Sequence, residues 1–184
     1  MALASMVWSE ISINNVVSEF LRAERHRYDP TCFPIIDNPN LSDPMENHDR
    51  LRLLYVPRAI FMIEIPPDTK WYEVENLTES ELDELYLSAR HSESWAGKKL
   101  DEGAATAQLP LTSPPETWAR LILWGHDKKG PFSILEGCHR MLAYAYANPR
   151  PRLSLPVYVG LSPSYCYWHH ADPVSWLGQD LFKL

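Results

Sequence analysis

The chain has 184 residues, of which 45% are hydrophobic and 22% are charged, as is ordinary for a single folded domain. Its formal net charge of −7 argues against a surface that binds nucleic acid throughout by counterion release. A local basic groove is still allowed, and the arginines within 22–27, 50–58 and 150–152 would either build one or be solvated surface charges.

The cysteines and the N-terminus indicate the cellular compartment. Cys32, Cys138 and Cys166 are widely spaced and show no disulfide framework. Residues 1–8 lack a basic region, and Glu10 follows too early for a signal peptide. No apolar run approaches membrane-spanning length. We therefore expect a cytoplasmic protein with reduced thiols.

The N-terminal part predicts a helix, a loop and two strands. Apolar residues recur at helical spacing between Ser9 and Arg27, which predicts an amphipathic helix. Residues 28–47 are rich in Pro, Asn and Asp and predict a long ordered loop. Two apolar runs, 51–56 and 59–65, are interrupted at Pro57 and predict strands.

The middle of the chain predicts one more strand and two helices. Residues 71–75 form a possible short strand, and the capping-box spacing at the start of 78–90 predicts a helix. Residues 94–112 show no clear period and predict a loop. Ser113 and Pro114 are typical of a helix start and predict a helix over 116–124.

The C-terminal part has the clearest pattern. It predicts a turn at 126–130, a strand at 131–136, a helix at 138–147 and a strand at 155–161. The aromatic tail over 163–184 is expected to pack back on the body of the domain.

Reactive side chains are concentrated where the strand at 131–136 passes through one glycine into the next helix. The segment reads Glu136-Gly137-Cys138-His139-Arg140. The first turn of a helix exposes unpaired N–H groups and a partial positive charge. A preceding glycine lets phosphates approach the backbone, and an arginine one turn later suits phosphate oxygens. The sequence therefore predicts an anion site at this turn.

Each of these side chains also has a purely structural alternative. Arg140 would neutralise phosphate, or form an ion pair with Glu136. His139 would donate to phosphate or act as a general acid or base, or it would simply pack. Glu136 would orient a water or hold a metal, or cap the helix. Cys138 lies where a thiolate is favoured, or it is a small buried residue.

Weaker candidates lie elsewhere. Arg90 and His91 would bring a second positive group to the pocket or contact DNA, or they would complement a helix dipole. The spacing of Cys166, His169 and His170 superficially suggests a metal site without a fourth ligand. The tail aromatics would stack on bases or join the core.

The segment from Gly125 to Ser162, about a fifth of the chain, resembles the ParB/sulfiredoxin superfamily. The hallmark of that superfamily is a strand, a Gly-x-x-Arg turn opening a helix, and a further strand beginning near a proline. Because the superfamily turn binds nucleotide phosphates, the resemblance implies that Gly137, Cys138, His139 and Arg140 bind a nucleotide. It also implies a single mixed α/β (α+β) domain over 1–184, described by its parts: an N-terminal helix and loop extension at 1–50, a core at 51–162 and a packed tail at 163–184.

The Glu-Gly-Cys-His-Arg form, with a long N-terminal half, is most similar to the plasmid fertility-inhibition proteins, including the oncogenic-suppression proteins. These block DNA export through conjugative or T-DNA type IV secretion systems. The resemblance implies ATP binding and hydrolysis, Mg²⁺ as companion of the nucleotide, and DNA cleavage, with Glu136, His139 and Arg140 as catalytic residues.

The implied partners are T-DNA or a conjugative plasmid strand and a type IV secretion coupling protein, which would recruit the protein to the inner membrane. Two main alternatives stay open. One is a sulfiredoxin-like ATP-dependent cysteine sulfinic acid reductase that uses Cys138. The other is a non-catalytic protein-binding inhibitor of a secretion coupling ATPase. A small-molecule kinase, an activity of some superfamily members, is a further possibility.

Overall fold

A mixed sheet organises the chain in the computed structural model, which describes residues 7–75, 77, 79–82, 84–88, 93–151 and 156–164. Six strands form this sheet within the described residues, in the order β1-β2-β6-β4-β5-β3. The predicted mixed α/β fold class is confirmed. The strands are β1 (Trp8–Ile11), β2 (Lys70–Val74), β3 (Leu85–Leu87), β4 (Leu121–Gly125), β5 (Phe132–Glu136) and β6 (Val157–Leu161).

Helices cover both faces of the sheet. α5 packs against α6 on one face, and α1 packs against α3 on the other. The helices are α1 (Ile13–Ala23), α2 (Phe33–Asp37), α3 (Pro44–Glu64), α4 (Glu79–Leu82), α5 (Leu100–Ala107) and α6 (Cys138–Tyr146), with 3₁₀ turns at Arg25–Arg27, Pro30–Cys32 and Pro115–Thr117.

The central strand β4 separates two hydrophobic cores. Leu121 and Leu123 contribute to the core beneath α5 and α6, whereas Ile122 and Trp124 contribute to the core beneath α1 and α3. Successive side chains of a strand point to opposite faces, so a strand covered on both sides is apolar throughout. All residues of β4 are accordingly buried.

Strand direction brings β4, β5 and β6 together at one end of the sheet. β4 is parallel to β6, and β3 is parallel to β5, while β4 and β5 are antiparallel. The register pairs Glu136 with Ile122, and Leu121 with Val157. The end of β5 therefore lies beside the starts of β4 and β6. We call this end of the strands the Glu136 end of the sheet.

The two predicted strands at 51–56 and 59–65 are wrong, because α3 covers the first run and all but the last residue of the second. Pro57 lies within this helix and interrupts no strand. Short apolar runs do not distinguish a buried strand from a buried helix. Arg50 and Leu54, four residues apart, are both fully buried, as expected for one face of a helix.

The predicted helices over 78–90 and 116–124 are also wrong for most of their length. α4 covers only Glu79–Leu82, and the chain then enters β3. The second segment holds a short 3₁₀ turn followed by β4. β3 and β4 carry apolar residues on both faces, so neither strand shows the alternation that would have identified it.

The predicted loop over 94–112 contains α5. This helix is rich in small residues, and Gly103 packs so closely that an added Cβ would lie 2.1 Å from Leu87 Cδ1. A helix whose contacts depend on Gly and Ala carries little apolar period in its sequence.

The remaining predictions agree better with the structure. The helix predicted from Ser9 begins at Ile13 after β1. The predicted loop over 28–47 is wrong for much of its length, because it holds a 3₁₀ turn, α2 and the start of α3. The short strand at 71–75, the turn at 126–130 and the final strand correspond to β2, a turn and β6. No helix in the described ranges combines the length and apolar composition needed to cross a membrane.

Candidate functional site

Gly137 connects β5 to α6 in a left-handed backbone conformation. Its φ and ψ are 102° and 10°, a combination that side chains disfavour. An added Cβ would also lie 2.4 Å from Leu121 Cδ2 on the neighbouring strand. The glycine is therefore required by the backbone and by packing against β4. The predicted strand and helix on either side of it are confirmed as β5 and α6.

Arg140, one turn into α6, is held by two oxygen atoms. Its Nη1 donates to the carbonyl oxygen of Ala119 at 2.7 Å, and its Nη2 donates to Glu136 Oε1 at 3.3 Å. Burial lowers the pKa of Arg140, and the nearby Glu136 and Glu19 carboxylates oppose that shift. The ion pair with Glu136 is thus present, and a phosphate role for Arg140 stays a prediction.

His139 lies at the surface beside the turn. Its ring packs edge-to-face against the buried ring of Trp95, with the ring centroids 5.6 Å apart. The side chain is exposed, so it is accessible to a ligand from solvent. The contact with Trp95 also supplies the packing role that was its structural alternative.

Of the two alternatives for Cys138, the structure favours the small buried residue over the thiolate. The residue is buried, and its Sγ donates to the carbonyl oxygen of Ile134 at 3.4 Å. Burial raises the pKa of Cys138 to about 12, although Arg140 acts in the opposite direction. Desolvation therefore outweighs the helix N-terminus, and Cys138 fills space between α6 and the sheet.

Native Cys138 is expected to resist alkylation by iodoacetamide at about pH 8. With a pKa of about 12, only about one thiol in ten thousand is ionised at that pH. Peptide mass spectrometry should show Cys32, which is only partly buried, labelled first, and Cys138 labelled after unfolding in urea. Equal labelling of the two cysteines in the native protein would contradict the burial of Cys138.

The sequence patterns did not predict a second group of charged residues, which lies at the Glu136 end of the sheet. Glu19 of α1 is buried, and its carboxylate accepts the backbone N–H of Arg120 at 2.6 Å. It also accepts from Arg22 Nε at 3.3 Å. Glu19 lies between the buried residues Val16 and Phe20 on the apolar face of α1, and a charge in that position was the available signal.

Arg120 extends this group toward β2 and β6. Its Nη2 lies 2.9 Å from Glu73 Oε1, and its guanidinium carbon is 5.2 Å from the ring centroid of Tyr158. Burial raises the pKa of Tyr158, while Arg120 opposes the shift. Together with Glu136 and Arg140, these residues place carboxylates and guanidinium groups side by side at the Glu136 end of the sheet.

The other candidates predicted from the sequence are not among the described residues. Arg90, His91, Cys166, His169, His170 and the tail aromatics lie outside the described residues. No group of three or more potential metal-ligating side chains occurs in the part of the chain that the structure describes.

Three of the arginines considered for a basic groove are engaged within the fold. Arg25 forms a bidentate pair with Asp37, Arg50 is fully buried, and Arg150 pairs with Asp101.

A groove of about 230 Å³ lies at the opposite end of the sheet from Gly137. It is bordered by the starts of β3 and β5, with Glu81, Glu84, Tyr86 and Lys129 among its lining residues. Its position separates it from the turn at 136–140.

Comparison with protein-family models, curated proteins and solved structures gives no match to this chain. The resemblance to the ParB/sulfiredoxin superfamily therefore stays a prediction that rests on the turn residues and on the order of the neighbouring elements.

Proposed function

We propose that this protein is a plasmid fertility-inhibition protein that blocks conjugative or T-DNA transfer through a type IV secretion system. It would bind and hydrolyse ATP and cleave DNA at the Gly137 turn. The observation that carries the proposal is the passage of β5 through a left-handed glycine into α6, with Arg140 one turn later and Glu136 beside it. This arrangement supports anion binding, because it combines helix N–H groups with a guanidinium.

The donor set of the turn fits the phosphates of a nucleotide. Arg140 Nη1 is anchored on Ala119, whereas the contact of Nη2 with Glu136 is long at 3.3 Å. Nη2 can therefore exchange Glu136 for a phosphate oxygen. That exchange would release the Glu136 carboxylate to orient a water, with His139 at the surface as a proton donor or acceptor. Mg²⁺ would accompany ATP and neutralise phosphate charge.

The proposed partners follow from the same resemblance. The DNA would be T-DNA or a conjugative plasmid strand, and the protein partner would be a coupling protein of the secretion system. The protein would act in the cytoplasm and reach the inner membrane through that partner.

Replacing Arg140 by alanine tests the site. ATP hydrolysis and plasmid nicking are expected to fall by about tenfold or more, since a charge-assisted contact to the phosphates is lost. Phosphate release, gel analysis of plasmid DNA and a mating assay measure the effect. Arg25→Ala is the matched control, because Arg25 pairs with Asp37 away from the turn. Full activity in Arg140→Ala, or none in the parent protein, would contradict the enzymatic proposal.

A second candidate is a non-catalytic inhibitor that binds the coupling ATPase. It is favoured by the pairing of Arg140 with Ala119 and Glu136, which satisfies the guanidinium without a ligand. In that case Arg140→Ala would leave mating inhibition intact, while surface substitutions elsewhere would abolish it. The burial of Cys138 and its raised pKa weigh against the sulfinic acid reductase alternative, which requires a reactive thiol.

A further inference from the structure

A single peptide unit connects the Gly137 turn to a buried carboxylate on α1. The carbonyl of Ala119 accepts from Arg140 Nη1 at 2.7 Å. The N–H of the same peptide, belonging to Arg120, donates to Glu19 Oε1 at 2.6 Å. α6 and α1 cover opposite faces of the sheet. The peptide between Ala119 and Arg120 therefore links the two helical layers at the Glu136 end of the sheet.

Glu19 is well placed to hold this peptide. Only 7% of its side chain is exposed, and a buried carboxylate is costly unless it is paired and hydrogen-bonded. Arg22 supplies one partner through Nε, and Arg120 Nη1 lies 3.8 Å from Glu19 Oε2. Arg120 is itself held by Glu73. These contacts fix the Glu19 carboxylate from several directions.

The planarity of the peptide transmits this constraint to Arg140. In a trans peptide the carbonyl and the N–H point in opposite directions and rotate together, so holding the N–H of Arg120 also sets the direction of the Ala119 carbonyl. The bond from Arg140 to that carbonyl is shorter than its bond to Glu136, 2.7 Å against 3.3 Å. The carbonyl is therefore the main anchor of the guanidinium.

We propose that Glu19 is a positioning residue, which orients Arg140 at the Gly137 turn through the peptide between Ala119 and Arg120. The consequence for ligand binding rests on the proposed phosphate-binding function of the turn. Glu19 would hold the guanidinium so that Nη2 faces an incoming phosphate, such as that of a nucleoside triphosphate, while Nη1 stays on the carbonyl.

Glu19→Gln and Glu19→Ala separate the hydrogen-bond acceptor from the charge. Glutamine keeps an oxygen that can accept the Arg120 N–H, whereas alanine removes it. Nitrogen-15 NMR of the full chain would measure rotation about the Cζ–Nη bonds of Arg140, and titration with ATP would measure Kd. In Glu19→Ala we expect rotation to be faster, and Kd to be higher, by about tenfold, the effect of one charge-assisted hydrogen bond. Glu19→Gln should restore values near those of the parent protein.

Glu24→Ala is the control, because Glu24 is another buried carboxylate near the end of α1 and pairs with Arg27. If Glu19→Ala does not fold, Glu19→Met removes the acceptor while keeping the side-chain volume. Unchanged Arg140 rotation in the alanine or methionine variant, or failure of glutamine to restore it, would overturn the proposal. A parent protein that binds no ATP would refute the proposed function, and the rotation measurement would still decide the role of Glu19.

Discussion

Arg50→Ala is expected to lower the free energy of unfolding by about 3–5 kcal/mol, as measured by urea denaturation. Arg50 is fully buried on α3, and its guanidinium donates to Glu46 at 2.9 Å and to the carbonyl of Asn40 at 3.0 Å. It also donates to Asn47. Alanine would leave these acceptors without their donor and would release the loop before α3, where the Asn40 carbonyl lies.

Arg52→Ala provides the comparison for this prediction. Arg52 is exposed on the same helix, two residues away, and its loss should change stability by less than about 0.5 kcal/mol. A loss below about 1 kcal/mol in Arg50→Ala would show that the buried guanidinium is replaced at little cost, as happens for some buried ion pairs.

Gly137→Ala is expected to lower the free energy of unfolding by about 2–4 kcal/mol. A positive φ of 102° costs an alanine about 1–3 kcal/mol, and overpacking adds to it. The new Cβ would lie 2.4 Å from Leu121 Cδ2 and 3.2 Å from Arg140 Nη2, so the guanidinium should also move. Thermal and urea unfolding measure the loss, and ATP hydrolysis would report the displacement of Arg140.

A double-mutant cycle with Leu121→Val separates the two contributions. Valine lacks the Cδ2 atom that the new Cβ would meet, so the effect of Gly137→Ala should be smaller in the Leu121→Val background. Equal effects in both backgrounds would assign the whole loss to backbone strain. A change below about 0.5 kcal/mol in Gly137→Ala would contradict both contributions.

Local patterns predicted the C-terminal part of the fold well. The turn after β4, the strand β5 and the helix α6 depend on residues close in sequence, where apolar runs are separated by a glycine. The N-terminal half was predicted poorly because its elements depend on distant contacts. The same apolar run that suggested two strands forms one helix, α3, which packs against α1.

The same distinction between local and distant contacts applies to the candidate site. Gly137 and Arg140 are only three residues apart in one turn, so their proximity could be predicted. Glu19 and Arg120 are 101 residues apart, and the fold brings them together at the end of the sheet. The sequence signal for Glu19 was a charge within an apolar helix face, which indicates burial and does not identify the partner.

Local sequence is sufficient to predict that a carboxylate, a glycine and an arginine surround a strand-to-helix turn, because backbone geometry over a few residues is set by local side chains and glycine. The contacts of these groups depend on the rest of the fold. Burial against the sheet raises the pKa of Cys138 to about 12, which disfavours the thiolate. The packing of β4 beside the turn placed the Ala119 carbonyl on Arg140. Desolvation and hydrogen bonding at the turn depend on residues that are far away along the chain. Both effects determine which side chains at the turn can react.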